Sequence, residues 1–350
     1  MNNSKIFCAN SEEVKKKMSD LKTYLVDVPV RVNIWIREEC QKKQFEVLKA
    51  ARPSVMFLVS DGGRNEKEIE AIKKNRALFD TQIDWDCTVY KIYEEKNNGL
   101  FAMSKKGAEF VWSKVDRCIF LEDDQIVSVS YFKFCAELLE KYKDDTRIQG
   151  ICSMNHCGVW ENASSDYFFA RSEASWGMAI WKRTNETRDY TFSFLKDPYN
   201  VKLIKRAART DAVMKKALKS IAKPGKHVVG GEFFHIFEVY AQNRLFIIPK
   251  RNMMKNIGCT ADSTHAAEYK LLPRATKRLF NMETYELEFP LKHQNYVVRD
   301  EEYEKKYAKI TGMGHPILKF FRKLERFLLV LKQKGLKGIF EKFKKKKNKK

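Results

Sequence analysis

From Val28 onward, short apolar runs alternate with stretches in which apolar residues recur at three- and four-residue steps. The short runs are typical of buried strands, and the periodic stretches are typical of helices that pack on a sheet. The predicted strands are 29–36, 55–60, 87–92, 117–121 and 148–154, and the predicted helices are 39–51, 66–79, 100–113 and 128–142. This alternation predicts an α/β fold in which a mostly parallel sheet is flanked by helices.

Composition agrees with a large folded core. The chain has 350 residues, 44% of them hydrophobic, with 24 Phe, 14 Tyr and 6 Trp. This amount of apolar and aromatic material excludes disorder for most of the chain. The sequence has no Walker loop and no Gly-x-Gly-x-x-Gly motif, which counts against a mononucleotide kinase and a dinucleotide dehydrogenase.

Polar side chains stand where three of the predicted strands end. Arg37 follows the first strand, Ser60-Asp61-Gly62-Gly63 follows the second and Glu122-Asp123-Asp124 follows the fourth. In sheets of this kind, ligands bind beyond the carboxyl ends of the strands. Crowded carboxylates repel one another unless a cation such as Mg²⁺ or Mn²⁺ neutralises them. The triplet therefore indicates a metal site, although on position alone a helix cap made by Asp123 or Asp124 fits equally well.

The order of these motifs resembles the nucleotide-sugar half of GT-A glycosyltransferases. The pattern is most similar to the N-acetylglucosaminyltransferase I type, whose metal motif is Glu-Asp-Asp, and to bacterial surface-glycan transferases that share it. The likeness continues through six later segments. They are Ser130-Tyr131-Phe132, Ser153-Met154-Asn155, Ser175-Trp176-Gly177-Met178, Ile248-Pro249-Lys250-Arg251-Asn252, Asn256-Ile257-Gly258 and Thr264-His265. In all, the resemblance covers residues 28 to 265.

The resemblance implies a GT-A (Rossmann-like) fold and four segments along the chain. These are a helical lead-in (1–27), a nucleotide-sugar-binding half (28–155), an acceptor-binding and catalytic half (156–300) and a basic amphipathic tail (301–350). It also implies a metal-dependent, inverting transferase of hexosyl or N-acetylhexosaminyl groups, with Mn²⁺ or Mg²⁺ as cofactor. The donor would be a nucleotide-diphosphate sugar, most simply a UDP-sugar, and the acceptor a bacterial surface glycan or a lipid-linked saccharide.

Roles for the residues at the strand ends follow from the same resemblance. Asp61 would pair with the uracil edge and Arg37 with the nucleotide or its diphosphate. Asp124 would hold the metal directly, while Glu122 and Asp123 would contact the ribose or groups behind the metal ligands. One or two carboxylates suffice because phosphates and water complete the coordination of such an ion. Two alternatives stay open: Asp61 could begin a tight turn, and Arg37 could be a surface cation.

The catalytic base is predicted at Glu232. Inverting transfer needs one base to take the proton of the acceptor hydroxyl, and in the similar families this base lies in a Trp-Asp segment shortly before the Ile-Pro-Lys stretch. The chain departs from that pattern, with Gly231 where an aromatic residue is expected and Glu in place of Asp. Glu238 is the second candidate for the base, and a helix cap is the other interpretation of Glu232. His265 would reach the diphosphate or complete the metal shell, or else be a buried, hydrogen-bonded histidine.

The net charge of +22 is concentrated at the C-terminus. Residues 316–350 contain 14 Lys or Arg against 2 Glu, a net charge of +12 that leaves +10 for the other 315 residues. Apolar residues recur at helical steps within this tail. The pattern predicts a basic amphipathic helix that lies on an anionic membrane surface. The alternative is a helix that packs on the body of the protein.

The N-terminal 17 residues are polar and charged without an apolar core, and the eight cysteines have no paired spacing. We therefore expect no signal peptide and a cytoplasmic location, peripheral on the inner face of the cell membrane. Two other classes of function remain as alternatives. One is a nucleic-acid-binding protein that uses the basic tail, although no recognition module is present and we expect no nucleic acid as partner. The other is a transferase-like protein without activity.

Overall fold

The computed structural model describes residues 24–172, 176–208, 211–221, 223, 231–259, 269–280, 282–312 and 315–347. The strands in these ranges are β1 (Val26–Ile34), β2 (Pro53–Ser60), β3 (Thr88–Tyr93), β4 (Arg117–Leu121), β5 (Gln125–Val127), β6 (Ile148–Cys152), β7 (Tyr167–Ala170), β8 (Met178–Trp181), β9 (Leu245–Pro249) and β10 (Met254–Asn256). The helices are α1 (Glu38–Ala51), α2 (Glu66–Gln82), α3 (Leu100–Trp112), α4 (Ser130–Lys141), α5 (Lys182–Glu186), α6 (Pro198–Ala207), α7 (Ala212–Ile221), α8 (Gly231–Ala241), α9 (Arg274–Phe280), α10 (Glu301–Thr311) and α11 (Pro316–Lys347).

An eight-stranded sheet in the order β3-β2-β1-β4-β8-β6-β9-β7 forms the centre of the molecule. The first four strands of this order are parallel to one another. Strand β8 runs antiparallel to both of its neighbours, β4 and β6, whereas β6 and β9 are parallel. The structure confirms the predicted fold class, a Rossmann-like α/β fold with a mostly parallel sheet flanked by helices, which is the arrangement that the GT-A resemblance implies.

Strand β1 is buried on both faces because helices cover both sides of the sheet. Val28, Val30 and Val32, on one face of the strand, are fully buried, and Arg31, on the other face, is 4% exposed, as expected for a strand of a parallel sheet covered on both sides. Helix α4 packs on β1 and β8 with an apolar side that includes Phe132 and Leu138. The core accounts for the sequence pattern that predicted these elements.

The boundaries of the predicted elements differ from the observed ones by a few residues. Strand β1 begins at Val26 and ends at Ile34 rather than spanning 29–36, and α4 begins at Ser130 rather than at 128. The sequence did not predict β5, which is only three residues long and pairs antiparallel with β10. Because β5 follows the acid triplet directly, neither Asp123 nor Asp124 caps a helix, and that alternative is wrong.

Helices α6, α7 and α8 form a hydrophobic cluster of their own, smaller than the two clusters built on the sheet. It includes Ile204, Met214, Leu218, Phe233 and Phe237. This cluster explains why the Lys/Arg-rich region after Asp189 is helical, since its apolar side chains pack on one another while the described lysines remain outside. The division of the chain into four functional segments stays a prediction.

The C-terminal helix α11 follows α10 and has non-helical backbone angles at Gly335 (φ 60°, ψ −166°). Along the ranges that the structure describes, no helix combines the length and the hydropathy that crossing a bilayer requires. All seven cysteines in these ranges are free thiols.

Candidate functional site

The carboxyl ends of β2, β1 and β4 lie side by side and bring the sequence-predicted polar residues to one edge of the sheet. In the register of the strands, Ile34 pairs with Ser60 and Val32 pairs with Leu121. Arg37, Asp61 and the acid triplet follow these paired positions by at most three residues. The expectation that they share an edge is confirmed. We call this region the carboxyl edge.

Arg37 joins two acids of the triplet. Its Nε and Nη2 atoms donate to the two carboxylate oxygens of Asp123, at 2.7 Å and 2.5 Å. Its Nη1 atom donates to Oδ2 of Asp124 at 2.6 Å. The two-point contact with Asp123 fixes the plane of the guanidinium, as fork-shaped pairs of this kind do. Arg37 is therefore more than a surface cation, because it neutralises the acids at the edge.

Burial and ion pairing act against each other on these groups. Burial raises the pKa of Asp123 to about 6, although the neighbouring Arg37 guanidinium acts to lower it. For Arg37, burial acts to lower the pKa, but the charges of Asp123 and Asp124 outweigh it and hold the pKa above its usual value. The result is a compact, partly buried cluster with two carboxylates and one permanent cation.

The buried amide side chains of Gln44 and Gln125 fix the backbone around the acid triplet. The Nε2 atom of Gln44, on α1, donates to the carbonyl oxygens of Glu122 at 2.7 Å and Gln125 at 3.0 Å. The Oε1 atom of Gln125 accepts the backbone N–H groups of Glu122 and Gly177, at 3.1 Å and 2.8 Å. The exposed carboxylate of Glu122 accepts a bond from Asn33 at 2.8 Å. These amides were not identified from the sequence. Gln44 did give one signal, because it is a polar residue on the buried side of a helix.

A distant segment closes over the same acids. Asn256 Nδ2 donates to Oδ1 of Asp124 at 3.2 Å, and the backbone N–H of Ile257 donates to the carbonyl oxygen of Asp124 at 2.9 Å. A Cβ atom at Gly258 would lie 2.1 Å from Oδ2 of Asp124 and 2.5 Å from Nη1 of Arg37. Only glycine fits this position without displacing its neighbours.

The donor set at the carboxyl edge fits a divalent metal that is held together with a phosphate. Among the described residues no cluster of three or more His, Cys, Asp and Glu side chains is arranged to enclose a metal. Asp124 is nevertheless about one-sixth exposed, with one oxygen facing only the neutral amide of Asn256. An ion that keeps water and phosphate ligands needs only one or two such carboxylates. The predicted metal ligand His265 lies outside the described residues, as do Ser175 and Thr264.

Asp61 is the anchor of the loop that precedes α3. Its two carboxylate oxygens accept the backbone N–H groups of Asn98 at 2.9 Å and Gly99 at 2.8 Å, and the side-chain amide of Asn97 at 3.1 Å. A Cβ atom at Gly62 would lie 2.4 Å from the carbonyl oxygen of Glu95, so this glycine is needed where the two loops meet. These contacts give Asp61 a structural role, and its pairing with uracil stays a prediction.

Glu232 lies in the first turn of α8 and its side chain is exposed. Its role as the base stays a prediction. Glu238 is different, because it is 1% exposed, accepts Gln149 Nε2 at 2.6 Å and pairs with Arg188 at 3.2 Å. Burial raises the pKa of Glu238 while Arg188 opposes this shift, and a paired, buried carboxylate of this kind is not placed to meet an acceptor.

Two of the later segments named in the resemblance, 153–155 and 248–252, contact each other. Asn155 Nδ2 donates to the carbonyl oxygens of Pro249 at 2.9 Å and Lys250 at 2.8 Å, and the backbone N–H of Asn155 donates to Asn252 Oδ1 at 3.1 Å. Trp176 is half-buried and packs on Phe280 with ring centroids 5.2 Å apart. Segments separated by about a hundred residues of sequence thus form one wall next to the carboxyl edge.

Comparison with known proteins gives no family assignment. No protein-family profile and no curated protein matches the chain. Among solved structures, a mannosyltransferase from Pyrobaculum calidifontis in complex with GDP-Man and Mn²⁺ is similar at 10% identity over 65% of this chain and 74% of that one, with a TM-score of 0.34. A UDP-glucose pyrophosphorylase complexed with UDP-glucose is similar at 12% identity over 65% and 92%, with a TM-score of 0.33. Likeness at this level carries no argument about activity.

Proposed function

We propose that this protein is a metal-dependent, inverting glycosyltransferase that moves a sugar from a nucleotide-diphosphate donor, a UDP-sugar, to a surface glycan or a lipid-linked saccharide. One observation carries the proposal. The acid triplet and the segment of Asn256 to Gly258, which the sequence analysis picked out separately, meet at Asp124 beside Arg37. Ligands of open α/β sheets bind beyond the carboxyl ends of the strands, and the two motifs meet at such an end, which supports a nucleotide-sugar site there.

In this proposal each residue of the edge has a separate task. Asp124 holds the divalent ion, which offsets the negative charge of the departing diphosphate. Arg37 binds the nucleotide or its diphosphate, and Glu122 and Asp123 contact the ribose or orient the groups behind the ion. Asp61 pairs with the uracil edge while it anchors its loop. The donor thus takes over contacts that the acids and Arg37 now make with each other.

The base in the proposed reaction is Glu232. Its carboxylate takes the proton of the acceptor hydroxyl as that oxygen attacks the anomeric carbon from the face opposite the diphosphate. The exposure of Glu232 and its position in the first turn of α8 support this role better than the buried, paired Glu238. The products are the glycosylated acceptor and the free nucleoside diphosphate.

The test of the donor site compares two aspartates at opposite ends of β4, Asp116 just before the strand and Asp124 three residues after it. UDP-, GDP- and CMP-sugars, with and without Mn²⁺, are screened for thermal stabilisation and slow hydrolysis, and binding is then measured by calorimetry. We expect Asp124→Ala to weaken binding of UDP with Mn²⁺ by at least about tenfold. Asp116→Ala, at the amino end of β4 with a side chain 87% exposed, should bind as the wild type does. Equal binding by both variants would remove Asp124 from the metal site and overturn the proposal.

A second prediction concerns the base. Glu232→Gln should lower turnover by about 10²- to 10⁴-fold, because the amide cannot accept the proton, while UDP binding stays unchanged. Glu66→Gln, in the exposed first turn of α2, is the matched control. Steady-state kinetics with the donor found in the screen give the result, and near-normal turnover of Glu232→Gln would show that another group is the base.

A further inference from the structure

The C-terminal helix α11 turns its polar side toward the body of the protein. Three polar side chains hold it there through backbone groups: Arg322 donates to the carbonyl oxygen of Ile310 at 2.6 Å, Glu325 accepts the N–H of Arg274 at 3.0 Å and Gln333 donates to the carbonyl oxygen of Lys270 at 3.2 Å. Separations of 3 and 11 residues are about one and three helical turns, so these anchors share one side of the helix. Val330, 3% exposed, is buried near this side.

The other side of α11 is apolar and uncovered. Six large side chains along it are between 37% and 63% exposed, namely Phe320, Phe321, Leu324, Phe327, Leu328 and Leu331. At about 100° per residue they form a stripe about 120° wide on the side away from the three anchors. A helix that used its apolar residues to pack on its own protein would show the reverse arrangement. α11 thus contacts the body of the protein, as the alternative expected, but through its polar anchors and Val330 and not through this stripe.

Positive charge lines both borders of this stripe. On the helical projection Lys323 and Lys334 lie along one border and Lys332 along the other, and all three are exposed. Residues 316–350, which include α11, carry a net charge of +12. A contiguous exposed apolar surface of this kind marks a site of interaction with a protein or a membrane.

We propose that α11 binds an anionic lipid surface, with its apolar stripe at the level of the upper acyl chains and its lysines against the headgroups. An uncovered apolar stripe bordered by lysines is the pattern of helices that lie in the plane of a membrane interface. A second copy of the chain fits the stripe poorly, because each copy would bring a further charge of +12 to the contact. Nucleic acid would use the lysines but leave the apolar stripe in water.

A chain of contacts connects α11 to the carboxyl edge. Helix α9, whose Arg274 meets Glu325, also packs on β10, and β10 carries Asn256 to Asp124. A lipid-linked acceptor would then meet the donor site without leaving the membrane, a consequence that rests on the proposed function. Lipid binding itself does not depend on transfer.

The test measures lipid binding by the full chain without donor, metal or acceptor. The wild type is co-sedimented with vesicles of phosphatidylcholine alone and of phosphatidylcholine with phosphatidylglycerol, at low and high salt. We expect binding to the anionic vesicles, weaker in high salt. The triple substitution Phe320→Ser, Phe327→Ser and Leu331→Ser should reduce it by about tenfold or more, because three side chains no longer leave water.

A matched variant separates the stripe from exposed apolar residues in general. Leu100→Ser with Phe101→Ser changes two residues of α3 that are 77% and 61% exposed, and it should bind vesicles as the wild type does. The proposal is overturned if the triple variant sediments like the wild type. It is also overturned if the wild type does not bind vesicles. Two such outcomes are a dimer that the triple substitution dissociates and a protein that is retained by duplex DNA. Because no donor is present, failure here leaves the proposed transfer intact, and failure of transfer leaves lipid binding intact.

Discussion

The carboxyl edge and helix α11 differ in where their side chains find partners. At the edge, Arg37 meets Asp123 and Asp124 within the chain, and each of these three side chains is at most 17% exposed. On α11 the anchors are polar, while the six apolar residues of the stripe are between 37% and 63% exposed. A ligand at the edge therefore has to replace internal contacts, whereas a partner of α11 adds contacts where there were none. Substitutions should consequently cost far more folding stability at the edge than on the stripe.

The largest stability effect should come from removing the cation of the edge. Arg37→Gln leaves the carboxylates of Asp123 and Asp124 without their partner and should lower the free energy of unfolding by about 2–4 kcal/mol. Mn²⁺ should restore more stability to this variant than to the wild type, because the ion supplies the missing positive charge only in the folded state. Denaturant unfolding with and without MnCl₂ measures both effects.

A surface pair provides the control for this substitution. Arg147 pairs with Asp145 at 2.7 Å, but its side chain is 63% exposed. Arg147→Gln should cost less than about 1 kcal/mol and show no response to Mn²⁺. If the two arginine variants lost the same stability, the edge would not be the tightly paired cluster described above.

An intermediate effect on stability is expected at Gly258, where the carboxyl edge has no space for a side chain. Gly258→Ala forces a methyl group into the space between Asp124 and Arg37 and should destabilise the fold by about 1–3 kcal/mol while weakening binding of UDP with Mn²⁺. Gly231→Ala is the comparison for stability, since a Cβ atom there meets nothing within 4 Å. Thermal unfolding of the two variants distinguishes a steric effect from a general effect of replacing glycine, which would destabilise both alike.

The smallest effect should be found on the stripe of α11. The triple substitution Phe320→Ser, Phe327→Ser and Leu331→Ser should change the free energy of unfolding by no more than about 0.5 kcal/mol in the absence of lipid, because these side chains are already in water. Val330→Ser, on the buried side of the same helix, should cost about 1–3 kcal/mol. Chemical denaturation of both variants checks the contrast, and a large loss in the triple variant would mean that the stripe packs on the protein.

Local sequence patterns were enough to predict the frame of the fold. Alternation of apolar runs and helical periods located β1, β2, β3, β4 and β6 within a few residues, since burial on both faces of the sheet leaves a strong signal in each strand. The later strands β7 to β10 were not predicted. The position of Arg37, Asp61 and the acid triplet at one edge followed from the same pattern. The short strand β5 gave too little signal, because three residues do not establish a period.

Contacts between distant parts of the chain were beyond that reasoning. The bond from Asn256 to Asp124 spans 132 residues, and the bond from Gln44 to the carbonyl oxygen of Glu122 spans 78. Neither follows from the residues near it in sequence. The structure confirms the helical period predicted for α11. Which side of the helix faces the protein could not be predicted, because it depends on the anchors near α9 and α10.

The reversed direction of β8 has a consequence for how this molecule can diversify. Met178, at the start of β8, pairs with Phe120 near the end of β4. The connection leading into β8 therefore lies at the same end of the sheet as the connections that leave the parallel strands. Insertions or deletions before Gly177 would change the surface beside the carboxyl edge without shifting the register of β4. Such an architecture allows one side of the carboxyl edge to vary in sequence and length while the strands that lead to Arg37 and the acid triplet stay in place.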